Sequence, residues 1–334
     1  MVALLACAAP LTCGEGTIRE GASCEVEETG LDRDDSSAES PDDTSADTSG
    51  DVSVIDVYIL AGQSNMDGYG YYTGLSPSWL TADPRVPLFW SGWGEFRSLQ
   101  AASYGGSVYA GPEVGFGRTL ADAGRTLALV KHAVGGTDLA FYWYAGDTPG
   151  DSSAGDGFRT LVSTMAAAEV SLDTSPQPWR WAGFVWMQGE SDALDLGMAN
   201  RYEVNLAHLV ASMRELTGEA ELPAYIGLIS RESIWTYADM VRDAQQAVAD
   251  DDPRVVTVET DDLPRNPLDT AHYEGTSNRV LGQRFATAAL SGVDVPAGAD
   301  APEPVVAVSA YRTDYDFTGT CGWSFSLDEA RVVT

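Results

Sequence analysis

Val54-Ile55-Asp56-Val57-Tyr58-Ile59-Leu60-Ala61-Gly62-Gln63-Ser64-Asn65-Met66 is an apolar run that stops abruptly at a glycine and small polar residues. Its β-branched and aromatic residues show little polar alternation, as in a strand covered on both faces. The turn that follows places the Ser64 hydroxyl at the C-terminal edge of a sheet, where open α/β sheets do their chemistry. No glycine stands two residues after the serine, so this is not the Gly-x-Ser-x-Gly elbow of the α/β-hydrolases. A serine after a strand is commonly just a helix N-cap. Its partners further along the chain decide the matter.

Outward from this stretch, strands and helices alternate. Further strands are predicted over 126–133, 181–187, 223–229 and 254–259, beside the first at 54–61. Helices are predicted over 112–123, 157–171, 198–217, 235–250 and 276–290. In the third helix Leu206, Leu209, Val210, Met213 and Leu216 recur with helical period, and Gly218 follows as a stop. Repeated β-α units imply a three-layer α/β/α sandwich, with a central parallel sheet of about five strands and right-handed crossovers. Residues 67–111 read as an aromatic and Gly-rich insertion suited to a cleft wall.

The chain holds 3 histidines, His132, His208 and His272. His208 falls mid-helix on a surface turn, and His132 near the end of the second strand. His272 follows Asp269 by three residues in the loop before the last helix. A carboxylate at that spacing can hold Nδ1 of the imidazole and stabilise the imidazolium, while Nε2 takes a proton from a serine. Two other segments end strands at the edge that carries Ser64. Gly135-Gly136-Thr137 would let backbone N–H groups approach a ligand as an oxyanion hole requires, or would form a plain turn. Trp186-Met187-Gln188-Gly189-Glu190-Ser191-Asp192 offers the Gln188 amide as a further oxyanion donor. Glu190 reads as a hydrogen-bond anchor, a second carboxylate, or a helix N-terminal acid.

Taken in order, Gly62-Gln63-Ser64-Asn65-Met66, Gly135-Gly136-Thr137, Trp186-x-Gln188-Gly189-Glu190-Ser191 and Asp269-x-x-His272 resemble the blocks of the SGNH/GDSL hydrolases, whose fold is flavodoxin-like. They are most similar to the carbohydrate-esterase branch that includes sialate O-acetylesterases and acetylxylan esterases. Gly111-Pro112-Glu113-Val114-Gly115-Phe116-Gly117-Arg118 matches that branch too, and the resemblance spans about residues 54–290. Gln188 replaces the third-block Asn of the wider superfamily and agrees with the narrower branch. The resemblance implies a serine esterase acting on acetylated carbohydrate through Ser64, His272 and Asp269. Ser64, Gly135, Gly136 and Gln188 would form the oxyanion hole, and Gln63, Asn65, Glu190 and Trp143 would contact substrate. Tyr142, Trp90 and Trp93 are further candidates to stack on a sugar, with core packing as the alternative. No metal or organic cofactor is implied. The alternatives are a carbohydrate-binding protein on the same fold, disfavoured by the intact Ser64, Asp269 and His272, and a lipase or thioesterase of the same superfamily.

Bulk composition sets limits on this reading. The 334 residues carry a net charge of −31, which argues against nucleic acid and anionic membrane surfaces as partners. Lys131 is the one lysine of the chain. No apolar stretch is long enough for a transmembrane helix. Residues 1–24 read as a truncated signal or lipoprotein-like leader, apolar over Met1 to Thr12, in which Leu4-Leu5-Ala6-Cys7 resembles a bacterial lipobox. That would make Cys7 a lipid anchor on a secreted or cell-envelope protein; an ordinary leader is the alternative. Residues 25–51 are acidic and Ser/Thr-rich, as expected of a disordered linker. The esterase-like domain spans 52–292, and 293–334 form a C-terminal extension suited to a short β appendage. None of the 4 cysteines (Cys7, Cys13, Cys24, Cys321) lies in 25–320, so the chemistry uses no thiol. A Cys13–Cys24 bridge suits an oxidising compartment, and pairings with Cys321 stay open.

Overall fold

A computed structural model of the protein describes residues 17–20, 23–26, 53–71, 74–101, 109–149, 151–267, 269–292 and 294. The chain divides into two units, Met1–Gly50 and Asp51–Thr334. In the first, Thr17–Glu20 and Ser23–Val26 pair as an antiparallel hairpin. Cys7, the linker beyond Val26 and the C-terminal extension beyond Asp294 lie outside the described residues.

The second unit is built on a seven-stranded sheet. In chain order its strands are β1 (Ile55–Gly62), β2 (Asp83–Trp90), β3 (Phe96–Leu99), β4 (Leu127–Ala133), β5 (Trp179–Met187), β6 (Ala224–Gly227) and β7 (Val255–Val258). Their spatial order is β7-β6-β5-β1-β4-β2-β3. All neighbours pair in parallel except β2 and β3, which are antiparallel. The five expected strands are all present and form the parallel centre. β1 and β4 are buried along almost their whole length, which is why they read as unbroken apolar runs.

The expected count of about five strands is corrected to seven. β2 and β3 arise inside the segment read as an insertion. Pro84 and Pro87 interrupt β2, and its burial alternates instead of running continuous. Proline removes a ladder donor and is tolerated where pairing is partial. β2 meets β4 only through Leu88, Phe89 and Trp90, and its register with β3 shifts between Asp83 and Pro87.

The longer helices are α1 (Glu113–Asp122), α2 (Asp156–Leu172), α3 (Tyr202–Thr217), α4 (Ala238–Asp251) and α5 (Gly275–Ser291). α1 and α5 cross at backbone contact. A Cβ on Gly115 would stand 2.0 Å from the Arg279 carbonyl oxygen, and one on Gly282 would stand 2.0 Å from that of Pro112. The Gly111–Arg118 block therefore serves packing: its glycines let α5 lie close enough to fix the loop that precedes it. Leu281 and Phe285 of α5 are fully buried, each contributing about 1.5–3 kcal/mol of apolar burial. A buried ion pair adds a second tie, with Lys131 Nζ on β4 2.8 Å from Glu113 Oε2 on α1. Lys131 also donates to the Asp67 carbonyl oxygen at 2.9 Å, in the turn after β1.

From β1 the chain proceeds to β2, β3 and β4 on one side, then crosses to β5 on the other. The C-terminal ends of β1 and β5 therefore flank the topological switch point, where ligands bind in open α/β sheets.

Candidate active site

Ser64 follows β1 at once and opens a single helical turn, Ser64–Asp67. The turn is fastened to both neighbouring strands. Gln63 N donates to the Met187 carbonyl at 3.0 Å, and Val134 N donates to that of Gly62 at 3.1 Å. Gly62 has φ of 147°, and a Cβ there would stand 2.0 Å from the Met187 carbonyl oxygen, so no other residue fits.

His272 and Asp269 sit on the short strand Asp269–Tyr273, which pairs with Arg265–Asn266. His272 Nδ1 and Asp269 Oδ2 are 2.5 Å apart, and the other carboxylate oxygen accepts the Ala271 N–H at 3.1 Å. The carboxylate thus grips both the ring and the loop. Asp269 is 46% exposed and His272 18% exposed at their side chains. The Tyr69 ring stacks on His272, with centroids 4.9 Å apart and planes 19° from parallel.

Asn65 joins the serine turn to this loop. Its Nδ2 donates to Glu190 Oε1 at 2.6 Å and to the Ala271 carbonyl at 3.4 Å, while its Oδ1 accepts the Tyr273 N–H at 3.2 Å. The residue next to Ser64 therefore holds both chain neighbours of His272. Ser64 Oγ itself makes no hydrogen bond to His272; such contacts commonly tighten only with substrate bound.

Four side chains given roles from the sequence sit in surroundings that suit other ones. Asn65 and Glu190 are each 1% exposed and bonded to one another, an internal tie in place of the expected outward contact. Burial raises the Glu190 carboxyl above its usual range, opposed by the Asn65 hydrogen bond. Trp143 is fully buried, donates through Nε1 to Thr137 Oγ1 at 2.8 Å and packs edge-on against Trp186. It is a core residue. Gln188 Nε2 is surrounded by three acceptors: Asp192 Oδ2 at 2.6 Å, the Thr137 carbonyl at 3.0 Å and Gln63 Oε1 at 3.1 Å. Two N–H bonds facing three oxygens leave none for an oxyanion.

Gln63 also proves to be a connector. Its Oε1 accepts from Gln188 Nε2, from Ser191 N at 3.2 Å and from Gly189 N at 3.4 Å. Asp192, to which the sequence reading gave no role, accepts the Leu139 N–H at 2.9 Å and the Ala140 N–H at 3.2 Å besides Gln188. It ties the loop after Gly135 and Gly136 to the end of β5. Burial raises its carboxyl to about 6, against those hydrogen bonds. Gly136 has φ of 71° and open space where a Cβ would be, while a Cβ on Gly135 would meet the Tyr69 hydroxyl at 3.1 Å.

The other two histidines stand apart. His208 Nε2 is 2.7 Å from the Gly146 carbonyl oxygen. His132 is buried with Nδ1 2.8 Å from Ser91 Oγ, and desolvation lowers its pKa to about 4. Near the same strand ends Trp90, Trp93 and Tyr142 are half-buried, and Phe141 is 61% exposed. Phe141 and Tyr69 went unnoticed in the sequence. The Asp-x-x-Phe spacing of Asp138 and Phe141 carried the only local signal, since Asp138 Oδ1 caps the Phe141 N–H at 2.6 Å. Among the described residues no group of three or more His, Cys, Asp or Glu side chains could hold a metal ion. Among them, too, no helix is long and apolar enough to cross a membrane.

Ser64 thus stands at the switch point, with an Asp-paired histidine in the loop that Asn65 holds and glycines at the end of β4. Residues 54–291 match the profile of the family described as carbohydrate esterase, sialic acid-specific acetylesterase. The chain belongs to that family, and is a carboxylic ester hydrolase of the carbohydrate acetylesterase class. Among solved structures it is similar to a protein from Arabidopsis thaliana, AT4G34215, with TM-score 0.58 and 23% identity over 71% of this chain and 98% of that one. It is also similar to NanS, with TM-score 0.54 and 17% identity over 71% of this chain and 97% of that one. XAC1771, a carbohydrate acetylesterase from Xanthomonas citri, aligns with TM-score 0.51 and 20% identity over 70% of this chain and 55% of that one. These likenesses are of fold. No curated protein matched the sequence.

Proposed function

We propose that this enzyme removes acetyl groups from O-acetylated carbohydrate with Ser64 as nucleophile, His272 as general base and Asp269 as its orienting carboxylate. The observation that carries the reading is the Asp269–His272 pair in a loop held on both sides of His272 by the residue next to Ser64. Ser64 Oγ bonds to the acetyl carbon as its proton passes to His272 Nε2. The C–O bond to the sugar breaks and His272 returns the proton to the leaving hydroxyl. Water, deprotonated by His272, then attacks the acetyl-serine; its C–O bond breaks, acetate leaves and His272 returns the proton to Ser64 Oγ.

Charge develops on the carbonyl oxygen in both steps. We assign its stabilisation to the Ser64 N–H, a Gly135 or Gly136 N–H and the Gln63 amide. Gln63 replaces Gln188 because its oxygen is already held by three donors, which leaves its NH2 end to donate. Removing one such donor costs on the order of 3 kcal/mol of transition-state stabilisation. Phe141, Trp90, Trp93 and Tyr142 replace Trp143 as the candidate sugar-stacking wall, since each keeps part of its surface exposed. Acetylated xylan and O-acetyl sialic acid are the substrates to compare.

The test is acetate release from both substrates by wild type and Ser64→Ala side by side. Wild type is expected to release acetate and Ser64→Ala none above background, with the fold retained. Release by folded Ser64→Ala at the wild-type rate would refute the serine assignment.

A further inference from the structure

Two buried polar side chains near the site, Asn65 and Glu190, connect the serine turn, the end of β5 and the His272 loop. Glu190 follows β5 by three residues, Asn65 follows β1, and the loop of His272 lies across the top of both. Every polar atom of the Asn65 side chain is engaged: Nδ2 by Glu190 Oε1 and the Ala271 carbonyl, Oδ1 by the Tyr273 N–H. The shortest of these is the 2.6 Å bond to Glu190. It orients the amide so that its other edge meets the His272 loop. A carboxyl that is 1% exposed is costly to the fold even when hydrogen-bonded, and this one spends its shortest bond on the residue next to Ser64.

We infer that Asn65 and Glu190 form a clamp that sets the separation and angle of Ser64 and His272, with Glu190 a positioning residue acting through Asn65. The inference rests on the proposed roles of Ser64 and His272. It differs from a substrate-contact role, because removing a clamp lowers kcat with little change in KM. It differs from mere packing, because the pair works by a directed hydrogen bond that can be reversed in polarity. Misplacing a nucleophile by about 1 Å costs on the order of 10²-fold in rate.

The experiment measures kcat and KM for p-nitrophenyl acetate, with thermal melting to confirm folding. Wild type and Ser64→Ala run first; wild type without turnover sinks the functional reading and leaves the clamp without an object. With wild type active, Asn65→Ala and Glu190→Ala are each expected to lower kcat by about 10- to 100-fold at nearly constant KM. The double variant should be no worse than the weaker single. Glu190→Gln keeps the accepting oxygen and should lose only about threefold.

Asn65→Asp guards against variants that fail to fold. Alone it sets two carboxylates face to face and should be severely impaired. Combined with Glu190→Gln it restores the bond between the two side chains, the Gln amide donating to the Asp, and keeps an oxygen for the Tyr273 N–H, though not a donor for the Ala271 carbonyl, so it should recover about threefold over Asn65→Asp. Multiplicative losses in the double alanine variant, a raised KM at unchanged kcat, or no recovery in the reversed pair would each overturn the clamp.

Discussion

Two histidines near the same edge of the sheet are separated in role by burial. His272 keeps part of its ring at the surface and has a carboxylate on Nδ1. His132 has neither, and desolvation drives its pKa from 6.5 to about 4. Between those two values the unfolded chain binds a proton that the folded chain does not, so stability falls as pH drops through the window. That difference corresponds to about 3 kcal/mol lost between pH 7 and pH 4. His132→Gln should remove that loss, seen as a shallower fall of unfolding free energy with pH than in wild type. Equal slopes for the two proteins would contradict it. At this scale the sequence was readable where chemistry is local: Asp269 and His272 lie three apart and do meet. It was misleading where the outcome depends on which atoms surround a group. Gln188 and Trp143 have the right types for an oxyanion donor and a stacking platform, but three oxygens consume the first and the core encloses the second.

Among elements, α1 and α5 show how remote packing reaches the site. Gly115 and Gly282 each stand against a carbonyl of the opposite helix, and α5 begins two residues after Tyr273. Gly115→Ala must push the helices apart. Overpacking of this kind costs about 1–3 kcal/mol, which lowers the melting temperature of a domain this size by roughly 2–4 °C for each kcal/mol. The displaced loop should also lower kcat. A Gly115→Ala protein with unchanged melting and kcat would contradict the role given to this crossing. The five central strands and all five long helices were legible because their apolar periodicities are strong. β2 and β3 were not, because prolines and half-exposed residues erase the strand pattern at an edge that pairs over only a few residues.

For the whole molecule, the family match at 54–291 and every element of the seven-stranded sheet fall within the unit Asp51–Thr334. A protein spanning 51–294 should therefore fold and keep the wild-type kcat/KM on p-nitrophenyl acetate. Loss of folding or activity in it would show that the remaining residues complete the domain. The chain's charge of −31 also predicts no retention on immobilised nucleic acid at physiological salt.

The central claim is that Ser64 is the nucleophile, made reactive by the Asp269–His272 pair beside it. A fluorophosphonate that labels activated serines, followed by peptide mapping, tests it most directly. The account predicts a single adduct on the peptide carrying Ser64, formed in step with loss of esterase activity and absent from His272→Ala. An adduct on another serine, or full activity in completely labelled protein, would contradict it.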